Sequence, residues 1–165
     1  MNKIVFLDID GVVNTLMISQ QPFNTPTGKI KRPDGYYYNI CNSSDLYVSN
    51  KQAICWLNKI CIESNASIVI SSTWRCDYND TIQSLLNSGL DPRIKILGAT
   101  KHRPDNNRGK EILDFLSSHN LLNIKYIVLD DDVYDLESCK NHLIHINGHV
   151  GLTIDDYYKA LQMLS

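Results

Sequence analysis

Residues 3–14 read KIVFLDIDGVVN, and this stretch decides the fold. The run up to Asp8 is apolar and rich in residues that favour strands, which is typical of a strand buried on both faces of a parallel sheet. It predicts a strand over residues 3–8. Asp8 and Asp10 are one residue apart, so on an extended chain both carboxylates point to the same side, while Ile9 points into the core.

Strands and helices alternate along most of the remaining chain. In chain order we predict a helix over 50–64, a strand over 66–71, a helix over 79–88, a strand over 94–98, a helix over 108–119, strands over 124–129 and 143–147, and a helix over 153–164. Asn50 or Ser49 is expected to cap the first helix, and Thr153 the last. The alternation predicts an α/β fold: a Rossmann-like three-layer α/β/α sandwich around a mostly parallel sheet.

Residues 14–49 interrupt this pattern, because they are polar and carry several prolines and glycines before the three tyrosines Tyr36 to Tyr38. We expect loops with at most a short hairpin there, rather than a second domain. The chain is therefore predicted to be one domain over residues 1–165, in which residues 14–49 form a small cap or flap in place of a large cap.

The composition is that of an ordinary globular domain, with 165 residues, 43% apolar and 21% charged. The net charge of −2 argues against strong non-specific binding to nucleic acids. We expect a cytoplasmic protein with no membrane contact, because the chain shows neither a signal peptide nor a spanning segment. The five cysteines form no CxxC pair, and Cys55 and Cys61 are expected to be buried free thiols.

Acidic and hydroxyl residues follow three of the predicted strands: Asp8 and Asp10, then Ser71 and Ser72, then Asp130 to Asp132. In open parallel sheets, ligands bind beyond the carboxyl ends of the strands. A divalent cation would relieve the repulsion between neighbouring carboxylates, and oxygen ligands suit Mg²⁺. A solvated turn or a helix cap can also use these residue types. A cap needs one acid rather than three, which favours a metal site.

Hydroxyl groups at a strand end, such as those of Ser71 and Ser72, can hold the oxygens of a phosphate. A phosphate bound there would need a cation opposite it. The candidates are Arg108 and Lys110 at the start of the helix over 108–119, and Lys101 in the loop before it. Positive charge is unfavourable at a helix N-terminus unless an anion faces it. This placement therefore favours an anionic ligand nearby.

Four segments, FLDIDGVVN, IVISSTWR, RGKEI and IVLDDD, occur in the order of the four motifs of the haloacid dehalogenase (HAD) superfamily. With the ending GLTIDD, the chain resembles the small HAD-type phosphatase domains associated with predicted RNA-repair proteins. The resemblance covers nearly the whole chain. It implies a magnesium-dependent phosphomonoester hydrolase with a phosphorylated substrate.

The resemblance implies a role for each matching aspartate. Asp8 would attack phosphorus and carry an aspartyl-phosphate, and Asp10 would protonate the leaving oxygen and then activate water. Asp131 would be the inner metal ligand and Asp130 the outer one. Mg²⁺ would also bind a carboxylate oxygen of Asp8 and the backbone carbonyl of Asp10.

The second and third motifs would hold the phosphate. Ser71 would bind a phosphate oxygen, with Ser72 as a helper. The third motif usually carries a lysine, but Arg108 stands at that position here, and it can clamp a phosphate with two donors. Lys110 and Lys101 stay open as alternatives.

Several functions fit these residues. A short insertion leaves an open site, which favours a macromolecular phosphate: a phosphoprotein side chain, including phosphotyrosine, or a nucleic acid end. A nucleotide or small metabolite is the alternative substrate, and phosphoryl transfer to an acceptor would use the same residues. A non-catalytic phosphate-binding module is the alternative of another class, but it would not need both Asp8 and Asp10.

Histidines and tryptophans give weaker signals. The spacing of His142, His145 and His149 invites a zinc interpretation, but residues 142 and 145 of a strand face opposite sides, so we do not favour it. Trp56 is expected in the core, and Trp74 either in the core or at the site.

Overall fold

The computed structural model describes residues 3–15 and 50–165, together with the backbone of residues 30–31 and 37–38. Its main sheet has five strands in the order β5-β4-β1-β6-β7, and each neighbouring pair is parallel. These strands are β1 (Lys3–Leu7), β4 (Ala66–Ile70), β5 (Ile96–Ala99), β6 (Tyr126–Asp130) and β7 (Leu143–His145). A separate antiparallel pair is formed by β2 (Ile30–Lys31) and β3 (Tyr37–Tyr38).

Within residues 50–165, four α-helices connect or follow the main strands: α1 (Lys51–Ser64), α2 (Tyr78–Asn87), α3 (Arg108–Ser118) and α4 (Ile154–Leu164). Short 3₁₀ helices cover Thr73–Asp77 and Glu137–His142. Asn50 caps α1, and Thr153 caps α4 in a reciprocal capping box, as the sequence predicts. In the described part of the chain, no helix has the length and apolar character needed to span a bilayer.

The alternating side chains of β1 pack against helices on both faces of the sheet. Val5 and Leu7 belong to a core that includes residues of α1, α2 and α4. Ile4 and Phe6 belong to a second core that includes residues of α3. Burial on both faces explains why β1 is a continuous apolar run. The predicted α/β/α sandwich is thus confirmed, with a main sheet that is wholly parallel.

The predicted element boundaries hold to within about two residues, but one burial prediction is wrong. Cys55 is exposed, because it lies beside rather than on the buried stripe of α1, whereas Cys61 is buried. In α2, Leu86 is exposed, and Thr81 and Ser84 are buried with Leu85. Trp56 is partly buried against the core of α1.

The predicted insertion over residues 14–49 lies mostly outside the described residues. Its described backbone includes the pairing of Ile30 with Tyr38 and of Lys31 with Tyr37. This agrees with the short hairpin expected there.

A buried ion pair ties the start of α3 to the 3₁₀ helix after β4. The Arg75 guanidinium donates to Glu111 Oε1 at 3.1 Å, and its other nitrogen lies 3.0 Å from Glu111 Oε2. Glu111 also accepts from the backbone N–H of Arg103, and Arg75 donates to Thr100 Oγ1. Side-chain exposure is 11% for Arg75 and only 2% for Glu111. The contact therefore fixes α3 against the ends of β4 and β5.

Glu111→Ala is expected to lower the free energy of unfolding by about 3 kcal/mol, since it leaves a buried guanidinium without its carboxylate. Urea unfolding followed by circular dichroism measures this loss. The matched control is Glu137→Ala, which breaks an exposed pair with Lys140 and should lower the free energy of unfolding much less. Equal losses in the two variants would show that the Arg75–Glu111 pair does not hold α3 in place.

Candidate active site and metal centre

The sheet order brings the predicted site residues together. β1 lies between β4 and β6, and Leu7 is in register with Ile70 on one side and Leu129 on the other. The residues that follow these positions therefore emerge at one edge of the sheet: Asp8 from β1, Ser71 after β4 and Asp130 from β6. Three segments far apart in the chain thus contribute to one site.

Three carboxylates form a cluster at this edge. Asp8, Asp130 and Asp131 each offer an oxygen, and these oxygens lie within 4.8 Å of one another. Burial raises the pKa of Asp8, and the nearby Asp130 carboxylate raises it further. Burial also raises the pKa of Asp130 and of Asp131. Placing three carboxylates so close together is energetically costly. Their oxygens are the hard ligands that a divalent cation such as Mg²⁺ prefers, so the cluster fits such an ion.

Asp131 is held between two glycines. Gly11 adopts a φ of +73°, which lets the chain turn directly after the Asp8–Asp10 pair. A Cβ atom at Gly11 or at Gly148 would overlap the Asp131 carboxylate. Sequence reasoning missed Gly148, because nothing in the local pattern indicates which side chain approaches it.

Arg108 is the cation that faces the acidic cluster. Its Nη1 atom lies 2.5 Å from Asp130 Oδ2 and 3.4 Å from Asp8 Oδ1. Asp130 and Asp8 raise the pKa of Arg108 even though burial opposes this, so the guanidinium is charged. The positive charge at the N-terminus of α3 is thereby matched by anions.

The other two candidate cations lie elsewhere. Lys110 Nζ is 3.0 Å from Asp105 Oδ2, and the lysine side chain is 51% exposed. Lys101 is exposed in the loop before α3. The structure thus brings Arg108 to the carboxylates and directs Lys110 to a surface ion pair.

Asp10 is separate from the carboxylate cluster. It is exposed, and each of its oxygens accepts a hydrogen bond: Oδ1 from Asn14 Nδ2 and Oδ2 from Trp74 Nε1, both at 2.8 Å. Neither donor was assigned to Asp10 from the sequence. Asn14 is four residues away in a turn that could have suggested the contact, but Trp74 is 64 residues away.

The two serines after β4 have different surroundings. The Ser72 hydroxyl accepts from the Trp74 backbone N–H and is hydrogen-bonded to Asp8, which opposes the increase in the pKa of Asp8. Ser71 is fully buried, and its Oγ has no hydrogen-bond partner among the described residues. A buried hydroxyl of this kind can bind a polar ligand.

A cleft of about 470 Å³ opens beside Asp10. Its lining comes from three segments of the chain: Asp10, Gly11, Asn14 and Thr15, then Asp131, then Gly148 and His149. Thr15 Oγ1 is buried and has no hydrogen-bond partner within the described ranges. The cleft therefore brings Asp10 and Asp131 into one lining.

The three histidines considered as possible zinc ligands each make a different contact. His142 Nδ1 lies 3.1 Å from the Tyr126 carbonyl, and the His142 ring stacks on that tyrosine. His145 Nε2 lies 3.0 Å from the Asp131 carbonyl. His149 lines the cleft.

Comparison with known families agrees with this geometry. The family model described as the HAD domain in Swiss Army Knife RNA repair proteins matches residues 4–157, which is nearly the whole chain. No curated protein sequence shows significant similarity to it. A HAD domain indicates a phosphohydrolase-type enzyme, and such domains generally use Mg²⁺. The chain belongs to the family of HAD domains found in Swiss Army Knife RNA repair proteins.

Proposed function

We propose that this chain is a Mg²⁺-dependent phosphomonoester hydrolase that works through an aspartyl-phosphate on Asp8. The observation that best supports the proposal is that Asp8 and Asp10, although only one residue apart, lie in different surroundings at this edge of the sheet. Asp8 lies in the carboxylate cluster beside Arg108, while Asp10 is held apart by Trp74 and Asn14. One carboxylate is thus available as a nucleophile and another for proton transfer.

In the first step, an Asp8 oxygen attacks phosphorus and the bond from phosphorus to the ester oxygen breaks. Asp10, as the carboxylic acid, gives its proton to the departing alcohol oxygen. In the second step, Asp10 takes a proton from water as that water attacks phosphorus. The bond from phosphorus to Asp8 breaks, which releases inorganic phosphate and restores both carboxyl groups.

Asp8, Asp130 and Asp131 would hold the metal, together with the backbone carbonyl of Asp10. Bound Mg²⁺ would offset the negative charge of these carboxylates and of the phosphate. Both Asp130 oxygens already accept hydrogen bonds, one from Arg108 and one from the Asp132 backbone N–H. This supports Asp130 as the outer ligand and leaves Asp131 as the inner one.

The phosphate would be held by hydroxyl and guanidinium donors. Arg108 lies within reach of Asp8, and the buried Ser71 hydroxyl lacks a partner among the described residues. Ser72 would orient Asp8 through their hydrogen bond. Fixed donors around the reacting group stabilise the charge that develops on it.

For the substrate we propose a terminal phosphate of RNA. The family description places such domains in RNA repair proteins. Residues 14–49, about 36 residues, are too few for a large independent cap, which favours a macromolecular phosphate over an enclosed metabolite. A phosphopeptide or a free nucleotide is the competing substrate.

We expect the protein to release phosphate from 3′- or 5′-phosphorylated oligoribonucleotides with a higher kcat/KM than from nucleotides or phosphopeptides. Asp8→Asn should lower turnover of every substrate, including 4-nitrophenyl phosphate, at least about a thousandfold. The measurement is phosphate release across the substrate panel by both proteins.

Asp8→Asn should leave the melting temperature unchanged or higher, because the amide carries no charge to be desolvated or repelled by Asp130. Wild-type turnover by a folded Asp8→Asn variant would contradict the nucleophile assignment. Preferred turnover of phosphopeptides or nucleotides would contradict the RNA substrate, and binding without turnover would indicate a phosphate-binding module.

EDTA should abolish activity and Mg²⁺ should restore it. Mg²⁺ should also stabilise the fold without any substrate, by about 2.7 kcal/mol at a free concentration a hundredfold above its Kd. Thermal unfolding with and without Mg²⁺ measures this gain. Asp131→Asn should lose most of it, whereas Asp132→Asn should keep it, because Asp132 is not in the carboxylate cluster. Full activity after metal removal would refute the metal site.

Arg108→Met should lower kcat/KM for an aryl phosphate about a hundredfold, because it removes the guanidinium beside Asp8. Lys110→Met is the matched control and should change kcat/KM less than about twofold, since Lys110 pairs with Asp105 at the surface. Steady-state kinetics of the two variants measures both effects. A larger loss in the Lys110 variant would make that lysine the third-motif cation.

A further inference from the structure

Trp74 donates to the carboxylate that the proposed mechanism uses for proton transfer. Its indole Nε1–H bonds to Asp10 Oδ2 at 2.8 Å, which is a good hydrogen-bond distance. The amide of Asn14 donates to the other oxygen at the same distance. Two donors from different parts of the chain therefore fix the direction of one exposed carboxylate.

The Trp74 ring is itself held in place. Its backbone N–H donates to Ser72 Oγ, and its carbonyl accepts from Thr81 Oγ1 at 2.8 Å. The ring packs against the core that contains α1 and α2. A tryptophan has few rotatable bonds, so a ring anchored in this way holds its N–H in one direction.

The same short segment contacts both proposed catalytic aspartates. The Ser72 hydroxyl lowers the pKa of Asp8, against the effect of burial, and the indole of Trp74, two residues later, donates to Asp10. Of the two hydrogen bonds from Asn14 and Trp74, Asp10 would keep only the one from Asn14 if the indole were removed. Its side chain would then be free to rotate away from the direction in which the indole holds it, within the cleft that Asp10 lines.

We infer that Trp74 is a positioning residue that holds the Asp10 carboxyl group away from the metal-binding carboxylates and toward the leaving oxygen. The inference rests on the proposed function, because it assigns Asp10 to proton transfer. The geometry has a clear kinetic consequence. A misplaced acid slows the release of poor leaving groups more than the release of good ones.

The test compares an alkyl phosphate, whose alcohol needs a proton to leave, with 4-nitrophenyl phosphate, whose phenolate leaves readily. Trp74→Phe keeps an aromatic ring and removes the N–H. It should lower the ratio of alkyl to aryl kcat/KM about tenfold. Because kcat/KM reports the steps up to formation of the aspartyl-phosphate, later hydrolysis does not affect this ratio.

Trp56→Phe is the matched control, because the same substitution is made in a partly buried tryptophan that packs against Tyr157 rather than Asp10. Its ratio should equal that of the wild type. An unchanged ratio in Trp74→Phe would overturn the inference. Equal losses for both substrates would also overturn it, because they would indicate general distortion of the site.

A second measurement does not depend on activity. The chain has two tryptophans, so its ¹H–¹⁵N spectrum should contain two indole N–H resonances. Asp10→Ala should shift the Trp74 resonance and speed its exchange with water, while that of Trp56 stays in place. An unmoved Trp74 resonance would refute the positioning role alone. Absence of turnover by the wild type on all phosphate esters would instead refute the proposed function, and the positioning role with it.

Discussion

Two buried carboxylates, Asp8 and Asp130, lie beside each other at the ends of neighbouring strands. The rest of the site has to offset the energetic cost of burying these two groups together. Their burial and mutual repulsion favour the protonated forms. Arg108 is shared between them and offsets only part of this cost. Such an arrangement is a weak source of stability. A bound cation would offset the rest of this cost.

The position of Arg108 depends on its neighbours in α3. Gly109 approaches the segment that follows β6 closely, with its N–H 2.9 Å from the Asp135 carbonyl, and a Cβ there would overlap Ser138 Oγ. Glu111 is buried against Arg75. Lys110, between them, points to the surface. The RGKE sequence therefore places one cation inside and the next one outside.

The acids at the sheet edge fall into two groups with different environments. Asp8 and Asp130 are buried beside the Arg108 guanidinium, with Asp131 close to them, whereas Asp10 is exposed and held by uncharged donors. Environments that separate carboxylates in this way allow one fold to supply both a nucleophile and a proton-transfer group. This separation supports the assignment of hydrolysis rather than simple phosphate binding.

Sequence alone determined the strands, their parallel arrangement and the aspartates and serines at their ends. It could do so because buried strands have a continuous apolar pattern and the residues after them are adjacent in the chain. The tertiary structure decided that Arg108 rather than Lys110 lies beside the carboxylates, that Cys55 is exposed and that Trp74 contacts Asp10. Each depends on how a helix is rotated or on which distant segments meet, and no local pattern carries that information. The sequence was sufficient to predict the acidic residues of the site, whereas tertiary packing determined which residues contact them.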